Sequence, residues 1–336
     1  MNLLPYLRLM RPANIITAMA DILAGLAVSS TSFLLLISQS HTPTFTSFQE
    51  ISFSNLILLL LSTIGLYGGG VVFNDVFDAK LDAVERPERP IPSGQVSKTS
   101  AAILGIWLLM AGIVAAFGVS PSSGLIALIV AILALVYDKY GKHTLLGPIN
   151  MGLCRGGNLL LGMSGAIQTK EWLIVHPHSS LSPSAIEPTN PFWFNQMSPL
   201  AEYWPLALIP VAYIAAITTI SRGEVHGGDK RALYLAFGLY GIVMLVIVGL
   251  SMKSPFSVWQ SLPFLALFAY LIFPPLLRAF KDRQPRNIGL AVKAGVIALI
   301  AMDAAIAATF AGWMYGLAVL ALLPLSRFLA KIFAVT

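Results

Sequence analysis

Charged residues are scarce in this chain of 336 residues: Asp, Glu, Lys and Arg together make up only 11% of it. A soluble domain carries about 25% charged residues. Here 57% of the residues are hydrophobic, and the mean hydropathy is +0.78. This composition excludes an ordinary soluble domain and indicates a protein built for lipid.

Cysteine and the common catalytic motifs are also nearly absent. Cys154 is the only cysteine, so a disulfide within the chain is impossible, and we expect a small buried side chain there. The chain has no Gly-x-Ser-x-Gly elbow, no Cys-x-x-Cys pair and no Walker-type loop. Evidence for chemistry must therefore come from its few acidic and basic residues.

Long apolar stretches are abundant, and each is a candidate transmembrane helix. They predict an all-α fold, a polytopic transmembrane bundle of nine to ten helices in a single membrane domain, 1–336. Two pseudo-repeated four-helix halves are expected at about 8–168 and 200–310, with an extra C-terminal helix at about 311–333. The predicted spans are 12–37, 53–77, 99–119, 122–138, 146–167, 200–220, 232–251, 258–280, 287–309 and 311–333.

The basic residues predict the orientation of these spans. Of the 21 Lys and Arg residues, 17 fall in alternate segments that would face the cytoplasm if the N-terminus does, and two fall in outside loops. The positive-inside rule then places both termini in the cytoplasm. We expect a multi-pass protein of the bacterial inner membrane. Its net charge of +6 is explained by cytoplasmic loops beside anionic lipid and does not imply a nucleic-acid partner.

An acidic cluster ends the second predicted span. Asn74, Asp75, Asp78 and Asp82 have the spacing Asn-Asp-x-x-Asp-x-x-x-Asp, which places all four within an arc of about 100° on a helix. Carboxylates on one face repel unless a cation lies among them. A Mg²⁺ ion shared with the oxygens of a diphosphate is the usual solution.

A non-helical loop follows the acidic cluster, because three prolines and a glycine lie between residues 84 and 94. From this loop Arg86 and Arg89 can point toward phosphate oxygens. The alternative is that both arginines only satisfy the positive-inside rule.

The segment from Asn74 to Gly94 resembles the first signature of the UbiA family of intramembrane prenyltransferases, which pairs the same acidic spacing with Arg-Pro-(Ile or Leu)-Pro-Ser-Gly. Leu9-Met10-Arg11-Pro12 is similar to the family's first helix, and the resemblance covers about residues 8–310. It implies a UbiA-like fold that binds Mg²⁺ and a prenyl diphosphate. The residues it assigns to the metal and the diphosphate are Asn74, Asp75, Asp78 and Asp82, with diphosphate contacts from Arg86, Tyr137 and Lys142.

The second acidic motif departs from the family pattern of two aspartates four residues apart. Glu224 and Asp229 are five apart, about 140° on a regular helix, unless Gly227 and Gly228 allow a loop that brings them together. Both are predicted metal ligands. His226 is expected to replace a carboxylate or act as a base, and Lys230 to bind the diphosphate. The motif resembles an EboC-type subgroup of the family.

These observations favour an enzyme that moves a prenyl group from a diphosphate to an unidentified acceptor beside membrane lipid. A terpene cyclase of the same family and a non-catalytic carrier or transporter are the alternatives. Ionisable residues within predicted spans, among them Asp21, Arg155 and Asp303, fit the carrier but also fit a structural ion pair. We expect Asp138 to cap a helix or pair with Lys139 or Lys142 rather than join the acidic cluster.

Overall fold

The fold was analysed in a computed structural model, which describes residues 3–37, 53–142, 144–166, 204–224 and 227–333. All regular structure in these ranges is helical, which confirms the predicted all-α class. The α-helices are α1 Leu4–Met10, α2 Pro12–Ile37, α3 Phe53–Glu85, α4 Lys98–Phe117, α5 Pro121–Val136, α6 Gly147–Met163, α7 Leu208–Ser221, α8 Lys230–Lys253, α9 Leu262–Lys281, α10 Pro285–Ala311, α11 Trp313–Leu320 and α12 Leu322–Ile332.

Nine helical segments of the described ranges are long and apolar enough to cross a membrane. The predicted span 146–167 corresponds to α6, which has 17 residues and falls just short of that length. The predicted span 311–333 contains two short helices, α11 and α12. Large apolar side chains such as Trp107, Leu245 and Tyr270 are more than two-thirds exposed on the helices. Such faces need lipid around them, and the protein is an integral, multi-pass membrane protein.

Helix ends follow local sequence signals. The Ser120 hydroxyl caps the start of α5 by accepting from the Ser123 amide at 3.0 Å, and Pro121 begins that helix. The helix α10 ends at Ala311, and Gly312 follows it with a φ of 85°, a conformation that favours glycine. The helix α3 continues through 33 residues, about 50 Å at 1.5 Å per residue. It is therefore longer than the hydrocarbon core of a bilayer, which is about 30 Å thick. Its C-terminal end places the acidic cluster at the membrane boundary.

Close helix contacts hold the bundle together around α2, α6 and α10. A Cβ atom on Gly25 would lie under 3 Å from the backbone of α6, and one on Gly162 under 3 Å from the backbone of α2. This reciprocal approach of small residues is a common way for membrane helices to pack. It also brings polar residues of α6 against α2.

A buried ion pair lies at this contact, which is one of the alternatives considered for Arg155. Arg155 Nε is 3.1 Å from Asp21 Oδ2, and both side chains are almost fully buried. Asn158 donates to the same carboxylate at 2.9 Å. Asp303 of α10 is buried near enough to interact with Asp21. One guanidinium can neutralise only one carboxylate, so a neutral cluster needs one of the two acids protonated.

The predicted repeat of two four-helix halves stays a prediction.

Candidate functional site

The acidic cluster lies on one face of the last turns of α3, because the helix is unbroken through Glu85. Asp75 and Asp82 are buried, with 4% of each residue exposed. Buried carboxylates need a partner of opposite charge. Basic side chains from two separate parts of the chain supply it.

Arg89 is the partner of both buried acids. Its Nη1 atom lies 2.7 Å from Asp82 Oδ2 and 3.2 Å from Asp75 Oδ1, and the residue is only 5% exposed. Arg11 reaches Asp75 Oδ1 from the start of α2 at 2.6 Å. The expectation that Arg89 points toward phosphate is wrong, since the structure places it among the acids of α3. The turn that carries it is closed by Gly94, with a φ of 76°.

The end of α5 forms the second side of the site. Residues Tyr137–Gly141 make a π-helical turn, closed by a hydrogen bond from the Lys142 amide to the Tyr137 carbonyl at 3.0 Å. Single π turns of this kind are frequent at functional sites. The Lys142 ammonium forms an ion pair with Asp78, so Lys142 lies against the predicted cluster.

Asp138 lies on the same turn and contacts Asn74, whose Nδ2 atom donates to Asp138 Oδ1 at 2.9 Å. The expected pairing of Asp138 with Lys139 or Lys142 is wrong: Lys142 pairs with Asp78, and Lys139 lies 4.9 Å above the Tyr140 ring. Sequence reasoning therefore gave Asp138 the wrong partner. The signal that was available is its four-residue spacing from Lys142, which matches that of Asn74 and Asp78.

Glu224 faces the α3 end from the loop after α7. Its Oε2 atom lies 4.0 Å from Arg86 Nη2. Burial raises the pKa of Glu224, and the nearby guanidinium groups of Arg86 and Arg89 partly oppose that rise. The first and second acidic motifs are thus brought to one place through Glu224.

Asp229 and Lys230 lie apart from the residues around the end of α3. The Asp229 carboxylate caps α8 by accepting from the Arg231 amide at 3.1 Å, and it lines a separate pocket beside Gly227 and Gly228. Lys230 is exposed. His226 lies outside the described residues. The metal role of Asp229 and the ligand roles of Lys230 and His226 stay predictions.

A cavity of about 380 Å³ opens between α3, α5, α6, α7 and α10. Its wall is polar where the two motifs meet, and elsewhere apolar side chains lie among polar ones such as Thr63, Arg155 and Asn158. The apolar part includes Leu66, Val130, Ala134, Ile217 and Val296, and the polar part includes Arg11, Asn74, Tyr137, Asp138, Arg155 and Glu224. Such a chamber can accept an amphipathic ligand whose head group is anionic. Cys154 also lines it, which sequence reasoning missed.

The model of the UbiA prenyltransferase family matches residues 27–294. Digeranylgeranylglyceryl phosphate synthase of Methanosarcina mazei is 36% identical over 160 residues, which is 47% of this chain and 54% of that protein. The synthase of Methanothrix thermoacetophila is 37% identical over 157 residues, 46% of this chain and 52% of that protein. The chain thus spans about half the length of the curated relatives it matches.

Solved structures share the fold at low sequence identity. A UbiA homolog from Aeropyrum pernix K1 gives a TM-score of 0.61 at 17% identity, covering 86% of this chain and 96% of that one. A UbiA homolog from Archaeoglobus fulgidus bound to GPP and Mg²⁺ gives a TM-score of 0.54 at 14% identity, covering 89% of this chain and 99% of that one. These likenesses show the same arrangement of helices.

Proposed function

Because this chain belongs to the UbiA prenyltransferase family, we propose that it transfers a prenyl group from a prenyl diphosphate to an acceptor within the membrane. The observation that carries the proposal is the cavity between the helices, which is lined by Asn74 of the first motif, by Glu224 of the second, and by apolar side chains of α3, α5, α7 and α10. A prenyl diphosphate has the matching form, an anionic head on an apolar chain. The solved structure with GPP and Mg²⁺ bound supports the same reading.

The side chains at the charged end fit Mg²⁺. Carboxylate and amide oxygens are the ligands this ion prefers, and it usually takes one or two carboxylates together with phosphate oxygens of a substrate. In the described part of the chain, no three acidic, histidine or cysteine side chains form a ready-made metal cage. Asp78, Asp75 and Asn74 on α3, with Glu224 opposite, would hold an ion shared with a diphosphate. When bound, the ion neutralises the negative charge that develops on the leaving diphosphate.

The basic residues of the site would hold the diphosphate. Arg86 lies 4.0 Å from Glu224 at the charged end, and Lys142 is attached to the same site through Asp78. Both can donate charge-assisted hydrogen bonds to phosphate oxygens, and Tyr137 lines the same wall. The hydrogen bonds from these donors become stronger as negative charge develops on the leaving oxygen.

The reaction breaks the allylic C–O bond, and its electron pair leaves with the diphosphate. A nucleophilic atom of the acceptor then bonds to the allylic carbon and loses its proton. The apolar wall of the cavity would exclude water that could otherwise capture the allylic cation. The curated relatives are named for a glyceryl phosphate product, so glyceryl phosphate lipids are the first acceptors to test. The charged end is proposed to face the cytoplasm of a bacterium, with both termini on that side.

Product analysis tests this function. Purified protein in lipid nanodiscs is incubated with Mg²⁺, an extract of membrane lipids or a glyceryl phosphate lipid, and isotope-labelled geranylgeranyl diphosphate. We expect release of diphosphate and a new lipid heavier by one prenyl group, both lost when EDTA removes the metal. A labelled hydrocarbon without acceptor would instead indicate a cyclase. Movement of the intact diphosphate across the bilayer without any bond cleavage would indicate a carrier and overturn the proposal.

A further inference from the structure

Asp138 differs from the other acids at the charged end of the cavity. Asp75 and Asp82 pair with arginines, Asp78 pairs with Lys142, and Glu224 lies 4.0 Å from Arg86. Among the described residues Asp138 forms no ion pair, and its side chain accepts a hydrogen bond from the neutral amide of Asn74. Only 5% of Asp138 is exposed, and it lines the cavity. A buried carboxylate with so little compensation is costly, which calls for a reason in the site itself.

The contact determines which way the Asn74 amide faces. Of the two ends of an amide only the NH₂ group can donate. In the contact the Asn74 nitrogen donates to Asp138 Oδ1 at 2.9 Å, so it lies on the Asp138 side. The amide oxygen of Asn74 is left to serve as an acceptor or a ligand. Without Asp138, both orientations of the amide would be available.

Two helix ends meet in register at this point. Asn74 and Asp78 are four residues apart on α3, as are Asp138 and Lys142 on the π turn and the residue after it. Asn74 contacts Asp138, and Asp78 contacts Lys142. Side chains four apart lie on one face of a helix, so each helix end presents two groups to the other. The π turn thereby orients one group that fixes Asn74 and one that pairs with Asp78.

We propose that Asp138 is a positioning residue, which fixes the Asn74 amide with its oxygen free to bind the divalent ion of the diphosphate complex. This inference rests on the proposed prenyl diphosphate function. Asp138 acts through Asn74 and is not itself a ligand. It extends the acidic motif of α3 to a residue on a different helix.

An exchange of the two side chains tests the inference. Asn74→Asp alone places two carboxylates in contact, and we expect it to weaken Mn²⁺ binding at least tenfold in the presence of inorganic pyrophosphate, as measured by electron paramagnetic resonance. Adding Asp138→Asn restores the hydrogen bond with donor and acceptor reversed. The double variant should recover most of the affinity, and Asp138→Ala alone should lose about as much as Asn74→Asp.

The matched control is Asp282→Ala, because Asp282 accepts from Asn287 Nδ2 at 3.0 Å on the exposed surface, outside the cavity. It should leave Mn²⁺ binding unchanged. If the exchanged pair binds Mn²⁺ no better than Asn74→Asp, Asp138 is a ligand in its own right and the positioning role is wrong. If Asp138→Ala lowers only the thermal unfolding midpoint, Asp138 is merely structural and the inference also fails. Because pyrophosphate and metal suffice, the result does not depend on whether the wild type transfers a prenyl group.

Discussion

Replacing Asp78 with alanine is expected to slow the release of diphosphate from a prenyl diphosphate at least about a thousandfold. Removing one electrostatic contact to the developing charge typically costs about 10²–10³ in rate, and a metal ligand supports a larger share of that charge. The Asp78 carboxylate lies one helical turn after Asn74, which lines the cavity, and is bound to Lys142. Its loss would remove a ligand of the ion and leave Lys142 without its partner. Release of labelled pyrophosphate from purified protein measures the effect.

Two variants separate charge from shape in this experiment. Asp78→Asn keeps the side-chain volume and an oxygen that can accept from Lys142, so it should be nearly as slow as Asp78→Ala. Glu88→Ala removes an exposed carboxylate from the loop after α3 and should turn over at the wild-type rate. Wild-type turnover by Asp78→Asn would contradict a metal-binding role for this residue.

Replacing Arg89 with alanine is expected to destabilise the protein by about 3–5 kcal/mol, the usual cost of removing one partner from a buried ion pair. Arg89 lies 2.7 Å from Asp82 and 3.2 Å from Asp75. Without it Asp82 loses its described charged partner, and Asp75 keeps Arg11. Both acids are buried, so water cannot replace the lost contact. Unfolding in detergent micelles, followed by loss of tertiary structure with temperature and denaturant, measures the change.

The neighbouring arginine provides the comparison. The side chain of Arg86 is 35% exposed and lies 4.0 Å from Glu224, a partly solvated pair of the kind that contributes about 0–1 kcal/mol. Arg86→Ala should therefore unfold at nearly the wild-type midpoint while binding diphosphate more weakly. Equal stability of Arg86→Ala and Arg89→Ala would contradict the structural role of Arg89.

The all-α membrane class followed from the sequence because composition and long apolar runs decide it. Apolar runs such as the one that became α10 have few other stable arrangements in lipid than helices. The acidic face of α3 was also predictable, since it depends only on spacing along one helix. The break between α11 and α12 was not predicted, because it falls at Ala321, whose φ of −60° and ψ of −18° remain helical and whose apolar neighbours continue the hydrophobic run.

The contacts between helices were the part that sequence reasoning missed. Arg89 was expected to face phosphate and instead neutralises Asp75 and Asp82. Asp138 was expected to pair with a lysine and instead contacts Asn74. Both results depend on how the chain returns to α3: the loop after α3 brings Arg89 back to the acids, and the π turn brings Asp138 to Asn74. The predicted ligand roles of Asp229 and His226, which lie near Glu224 in the second motif, stay predictions.

Access to Cys154 tests the central claim, that a prenyl diphosphate and a divalent ion occupy this cavity together. Cys154 is the only cysteine of the chain and lines the cavity wall beside Arg155, so a maleimide reports on that space alone. Geranylgeranyl diphosphate with Mg²⁺ is expected to slow alkylation of purified protein at least about tenfold, as protection by a bound ligand requires. The protection should be lost with EDTA and in Asp78→Ala. Alkylation at one rate with and without the diphosphate, in protein that remains folded, would contradict the account.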